Sequence, residues 1–141
     1  MYTRNTHIPT PFPSIDAIDA LSRIDLLRWC NREQVELVRP DTDVLDLPAG
    51  TVLERAGTHG HQFIGLVRGT VEHDHVTAGV TLMHAGDQIG AAELIEGSAH
   101  EATCTALTDI TVVVVFGPAF RSLVGSLVDV PCSDRVLAAA A

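Results

Sequence analysis

From Asp41 to Phe116 the chain is cut into short apolar runs by Gly, Asp and Pro about every 8 to 12 residues. This spacing constrains the fold more than any other feature of the sequence. "DVLDL", "TVLER", "FIGLVRG", "TVEHDHV", "VTLM", "ATCTAL" and "ITVVVVF" are strand candidates. "PAG", "AGTHG", "TAG", "AGDQIG" and "LTD" are the turns between them. Many short strands joined by regular turns argue for a β-sandwich or barrel. "TVVVV" shows no alternation, so that strand is expected to be buried on both faces.

Helical signals flank this block. Ser14 reads as an N-cap with Asp16 in the first turn. Ile15, Ile18 and Leu21 then recur on one helix face, and Ile24, Leu26, Leu27 and Trp29 continue the apolar patch. Asn31 with Gln34 three residues on forms a capping-box signature, and the helix from Arg32 to Val38 should stop before Pro40. After the strands, Phe120, Leu123, Val124 and Leu127 stand at i, i+3, i+4, i+7, an amphipathic helix that Pro131 ends. Residues 1–13 carry Pro and Thr without periodicity and read as a mobile tail, leaving 14–141 as a single domain. Gly65, inside an apolar strand, marks a bulge on this reading.

Composition narrows the function classes. The chain has 141 residues, 46% of them hydrophobic, enough to bury a core without disulfides or metal. Nine cations against eighteen Asp and Glu give a net charge of −9. All nine are Arg, which fits a GC-rich bacterial genome. An acidic chain without a basic cluster repels nucleic acid. No apolar stretch reaches ~18 residues and no secretory signal is evident, so a cytoplasmic protein without membrane insertion is expected. Cys30, Cys104 and Cys132 read as reduced thiols.

The order of glycines and turns resembles the cyclic nucleotide-binding domain family. "LPAGTVLERAGTHGHQFIGLVRGTVEH" is similar to the first half of such a domain, and "LMHAGDQIGAAELIEGSAHEATCTALTDITVVVVFGPAFRSLV" to the second. The marks are Gly50 after Pro48, Gly57, Gly69, Gly86-Asp87, Gly90 and Ala102-Thr103. The resemblance spans about residues 20 to 131. It implies a mainly β fold with flanking helices: a double-stranded β-helix, or jelly-roll, barrel of about 7–8 strands with N-terminal helices and a short phosphate-binding helix. It also implies a ligand site at Gly90, Ala91, Ala92, His100, Glu101, Ala102 and Thr103, with His73 facing the barrel interior.

The chain departs from that family's binding cassette at two places. Phe-Gly-Glu-Leu-Ala followed by Arg-Ala-Ala-Thr is the usual pattern, its Glu holding the ribose 2′-OH and its Arg the cyclic phosphate. Here Ala91 takes the Glu position, His100 takes the Arg position, and Glu101 adds a negative charge beside it. Loss of an Arg–phosphate pair costs about 2–5 kcal/mol. Loss of a charged hydrogen bond costs about 1.5–3 kcal/mol more. Together these remove roughly three to five decades of affinity. Glu93, two residues past the missing Glu, is expected to point elsewhere. Binding of cAMP or cGMP is therefore disfavoured, and no cofactor is expected.

His59-Gly60-His61 and His73-Asp74-His75 suggest His-x-His metal ligands of the cupin kind. The required Glu after His61 is missing, however; Gly65 and Leu66 stand there, so no metal is expected. His59 and His61 read as solvated turn residues. No nucleophile–base arrangement is legible, and Glu93 and Glu96 read as a solvated helix edge rather than a catalytic pair, so no enzyme is expected. The expectation is a free-standing, degenerate cyclic nucleotide-binding-like domain acting as a regulatory or protein-interaction subunit. Its partner is another protein, a homodimer included, met through Ile15, Ile18, Leu21 and Trp29. The alternative is a genuine sensor of a cyclic nucleotide or other small ligand through an altered pocket.

Overall fold

The computed structural model describes residues 15–125. Asp16, rather than Ser14, caps the first helix: its carboxylate accepts from the Ile18 N–H at 3.0 Å. Ser14 itself lies outside the described residues. Helix α1 (Ala17–Ser22) leads into a 3-10 turn (Asp25–Trp29) and α2 (Arg32–Glu36). The capping box forms as its signature predicts, Asn31 accepting from Gln34 and Gln34 returning the bond to the Asn31 N–H, both at 2.8 Å. A second 3-10 turn (Arg39–Asp41) takes up Pro40.

Eight strands follow: β1 (Thr42–Leu47), β2 (Val52–Glu54), β3 (Gln62–Arg68), β4 (Val71–His75), β5 (Gly79–Met83), β6 (Gln88–Ile89), β7 (Ala102–Ala106) and β8 (Ile110–Phe116). Helix α3 (Ala91–Glu96) sits between β6 and β7, and α4 (Gly117–Gly125) follows β8. The strands form two four-stranded antiparallel sheets, in the orders β1-β8-β3-β6 and β2-β7-β4-β5. This is the jelly-roll arrangement, as two facing sheets rather than a closed barrel.

The unbroken valine run explains the layering. Ile110 to Val115 are all buried, as that run predicts. Val112 and Val114 face the second sheet and pack with Leu53, Val71, Ile89 and Cys104. Val113 and Val115 face the other way, onto Ile18, Leu21, Ile24, Phe63 and Phe120. Side chains alternate along a strand, so β8 feeds two cores at once. The helices, the first sheet and the second sheet thus stack as three layers. Phe63 of β3 and Phe120 of α4 stack at 4.3 Å between ring centroids, and Leu123 joins them in the core. Leu127 lies outside the described residues.

Two expectations change here. Gly65 is not at a bulge. It pairs in register with Val113, and the β3–β8 irregularity falls between Leu66 and Arg68. A Cβ at Gly65 would stand 2.6 Å from Ile24 Cγ1 and 3.1 Å from Val113 Cγ1, so the glycine makes room for the incoming helical layer. Second, Ile18 and Leu21 are buried in the core and Ile15 packs against it. Ile18 and Leu21 are therefore spent on the core, while Ile15 stays half-buried at its edge. The Trp29 side chain lies outside the described residues.

Ile24 is fully buried and has nowhere to move. Gly65→Ala is expected to lower stability by about 1–3 kcal/mol through overpacking. Urea unfolding monitored by circular dichroism should show this as a lower midpoint at unchanged slope.

Candidate functional site

A cavity of about 350 Å³ opens between α3 and the β4–β5 hairpin. His73 and His75 come from β4, Met83 from β5 and Gln88 from β6. Gly90, Ala92, Glu93, Glu96, Ser98 and Glu101 supply the wall along α3 and the loop after it. Three carboxylates and two imidazoles therefore line it, and none of the lining residues is Lys or Arg. A second cavity, about 430 Å³, lies beside it and shares His73, Met83 and Gln88. The pleat places His73 on the inner face, directly opposite the buried Cys104 of β7.

Short-range chemistry fixes the cavity's parts. Gly90 is the N-cap of α3 at φ 72°, left-handed backbone that glycine adopts without cost. It has no side chain to cap with, so Gln88 Oε1 accepts from the Ala91 N–H at 2.9 Å instead. At the far end Gly97 closes the helix, and Arg121 from α4 donates to the Leu94 carbonyl at 3.0 Å. His75 Nδ1 accepts from the N–H groups of Thr77 and Ala78, each at 3.1 Å. Nε2 of the neutral ring therefore carries its hydrogen, directed at Glu101 Oε2 3.3 Å away.

The residues proposed from the cassette separate into three groups. Gly90, Ala92, Glu101 and His73 line the cavity. Ala91 and Ala102 are buried in the core. His100 and Thr103 serve the scaffold. The Thr103 hydroxyl accepts from the Ala56 N–H at 3.1 Å, tying β7 to the turn after β2. His100 is 5% exposed and is not among the lining residues. Its backbone is fixed both ways, the Gly57 N–H donating to its carbonyl and its own N–H donating to Thr58. Its ring turns inward, Nδ1 lying 3.1 Å from Glu54 Oε2 without the alignment of a hydrogen bond. Glu93, expected to point elsewhere, lines the cavity.

Glu54 is the residue that sequence reasoning missed. The β2–β7 pairing slips by one residue between Val52 and Glu54, and this bulge leaves Leu53 and Glu54 both buried. "TVLER" gives no sign of the slip. Burial raises the Glu54 carboxyl to about 7, opposed by the Cys104 thiol, which donates to Oε1 at 3.4 Å, and reinforced by Glu93. Burial lowers His100, with Glu93 acting against that shift and His59 along with it. Burial and the Glu54 charge push the Cys104 thiol far up, which makes it an unreactive group.

His59 and His61 are exposed turn residues. Among the described residues no three His, Cys, Asp or Glu side chains converge as a metal-ligand set. Cys30 and Cys104 are not joined in a disulfide, and Cys132 lies outside the described residues. No helix among the described residues is long and apolar enough to cross a membrane.

Comparison with known proteins agrees with this architecture. The sequence profile described as the cyclic nucleotide-binding domain matches residues 44–126, and the chain belongs to that family. A co-crystal structure of the regulatory domain of Toxoplasma gondii PKA with cAMP is similar at 19% identity and TM-score 0.72, over 85% of this chain and 46% of that one. The regulatory subunit of a cAMP-independent protein kinase A from Trypanosoma brucei is 20% identical at TM-score 0.70, over 80% of this chain and 42% of that one. The sensor domain of the transcriptional regulator DNR from Pseudomonas aeruginosa is 18% identical at TM-score 0.69, over 86% and 88%. At such identities the likeness is one of fold. The chain spans under half the length of the two kinase proteins. A search of the curated proteins finds no match.

The role given to Thr103 has a direct check. Thr103→Val removes the acceptor of the Ala56 N–H and is expected to cost about 1–3 kcal/mol. Thermal unfolding should show the loss, and amide exchange at Ala56 should quicken with it.

Proposed function

We propose that this chain is a degenerate cyclic nucleotide-binding domain that works as a regulatory, protein-interaction module and binds cAMP or cGMP weakly or not at all. One observation carries the reading: the cavity beside α3 is lined by Glu93, Glu96 and Glu101 with no Lys or Arg. A cyclic phosphate entering it would lose its water and meet carboxylates. Bringing like charges together in a partly enclosed space costs free energy that neutral contacts do not return. His100, at the position the family gives to Arg, is buried against Glu54 and has no face toward that cavity. The Trypanosoma relative, itself described as cAMP-independent, offers a parallel on the same fold.

Regulation without a nucleotide requires contact with another protein. With the α1 face committed to the core, the described residues leave Val80 and Leu82 exposed side by side on one face of β5, at 59% and 53%. The reading assigns the partner surface to that strand rather than to Ile15, Ile18, Leu21 and Trp29. It places the protein in the cytoplasm and gives it no catalytic role.

A second reading, a sensor of a different small ligand, draws on the cavity itself. It keeps an open volume with Gln88, His73 and His75 as hydrogen-bonding groups. A ligand without phosphate would suit it better than a nucleotide.

Calorimetric titration at pH 7.5 is expected to show no micromolar binding of cAMP or cGMP. Micromolar or tighter binding of either would overturn the proposal. A thermal-shift screen with uncharged and cationic small molecules separates the two readings, because only the sensor reading expects a stabilising hit.

A further inference from the structure

The buried group beneath α3 is not explained by any role in the cavity. Glu54 and His100 have side chains only 3% and 4% exposed, and they approach to 3.1 Å. They come from different parts of the fold, the β2 bulge and the loop before β7. Two glycines close around them. A Cβ on Gly60 would stand 2.7 Å from His100 Nε2. A Cβ on Gly90 would collide with Glu54 Oε2 and stand 2.8 Å from His100 Cε1. The N-cap of α3, the turn containing Gly60 and strand β2 are thus fitted around one carboxyl and one imidazole.

We propose that Glu54 and His100 together carry a single proton and act as an internal lock, a neutral buried pair against which α3 and the turn at Gly60 pack without any ligand. The charged groups around the pair are consistent with one proton. Burial disfavours a charge on either group; Glu93 on α3 disfavours a negative charge on Glu54 while favouring a positive one on His100, and His59 on the turn opposes the latter. Cys104 on β7 donates to Glu54 and stays a thiol. An unpaired buried charge is costly, whereas a pair carrying one proton has no net charge. Glu54 and His100 are positioning residues here, because neither touches the cavity contents.

The two halves of the lock have opposite pH signatures. Glu54 is raised from the usual 4.5 to about 7, so its contribution is present below 4.5 and lost as pH rises toward 7. His100 is lowered from the usual 6.5, so its contribution is present above 6.5 and lost as pH falls below it. In the intact pair these slopes oppose each other. Between about pH 5 and 6.5 the locked and opened states each hold one proton, and the lock is nearly independent of pH.

The test is hydrogen exchange over residues 88–100 of the full chain between pH 5 and 8, expressed as protection relative to the β1–β8 pair. Wild type is expected to stay within about threefold from pH 5 to 6.5. His100→Gln should lose about 100-fold in protection as pH rises across the window. Glu54→Gln should move the other way, gaining protection as pH rises to 6.5. Slopes of the same sign in the two variants, or profiles matching wild type, overturn the lock. Glu101→Ala, which removes the exposed His75 contact, should keep the wild-type profile, and a changed profile there also counts against it. Should either variant fail to fold, wild-type protein with carbon-13 Glu and nitrogen-15 His decides the matter. The lock expects one proton lost near pH 7 and sensed by both residues; separate steps near 4.5 and 6.5 overturn it.

Discussion

Everything in this molecule is arranged around a strand with no exposed face. β8 lies between β1 and β3, and its valines alternate between the helical layer and the second sheet. A strand in that position tolerates a buried polar residue only where it is hydrogen-bonded, and the sole one within it, Thr111, donates to Asp46 at 2.7 Å. The helices can approach its outer side because Gly65 on the neighbouring strand has no side chain in the way of Ile24. The second sheet can approach its inner side because β2 and β7 present Leu53, Ala102, Cys104 and Ala106 there. Glu54 is carried into the same interior by the β2 bulge, and His100 turns inward to meet it.

That arrangement changes the meaning of the short helix after β6. In outline α3 looks like an anion cradle, a turn and a half of helix opening on a left-handed glycine. Its supports are nevertheless internal at each point: Gln88 at the first turn, Leu94 in the core, Arg121 on a carbonyl near the end, and the Glu54–His100 pair underneath. Among the described residues, the guanidinium bonded to this helix, that of Arg121, is spent on its backbone and not on the cavity. The cavity's carboxylates, Glu93, Glu96 and Glu101, stand beside the imidazoles of His73 and His75.

The architecture was largely legible in the sequence, because its signals are local. Strand lengths follow from turn residues, the two-faced burial of β8 from unbroken valines, and the α2 cap from Asn31 and Gln34. What could not be read depends on contacts between distant segments. Nothing near residue 54 announces a bulge, since the slip exists only relative to β7. The sequence neighbours of His100 match a cassette and so point it to a pocket; its ring meets Glu54, which lies 46 positions earlier. Ile18 and Leu21 read equally well as a docking face or a core face. Amphipathicity fixes which side is apolar but not what covers it.

The four sheet edges are not equally guarded. β6 has two residues, β2 has three and a bulge, and β1 carries Asp43 and Asp46. β5 has five residues in unbroken register with β4, and not one of them is charged or proline. An edge of that kind presents unpaired backbone groups to any extended segment that meets it. Of the four edges, that strand offers the longest run without charge or proline for pairing. The net charge of −9 repels like copies from that edge, a repulsion that salt screens.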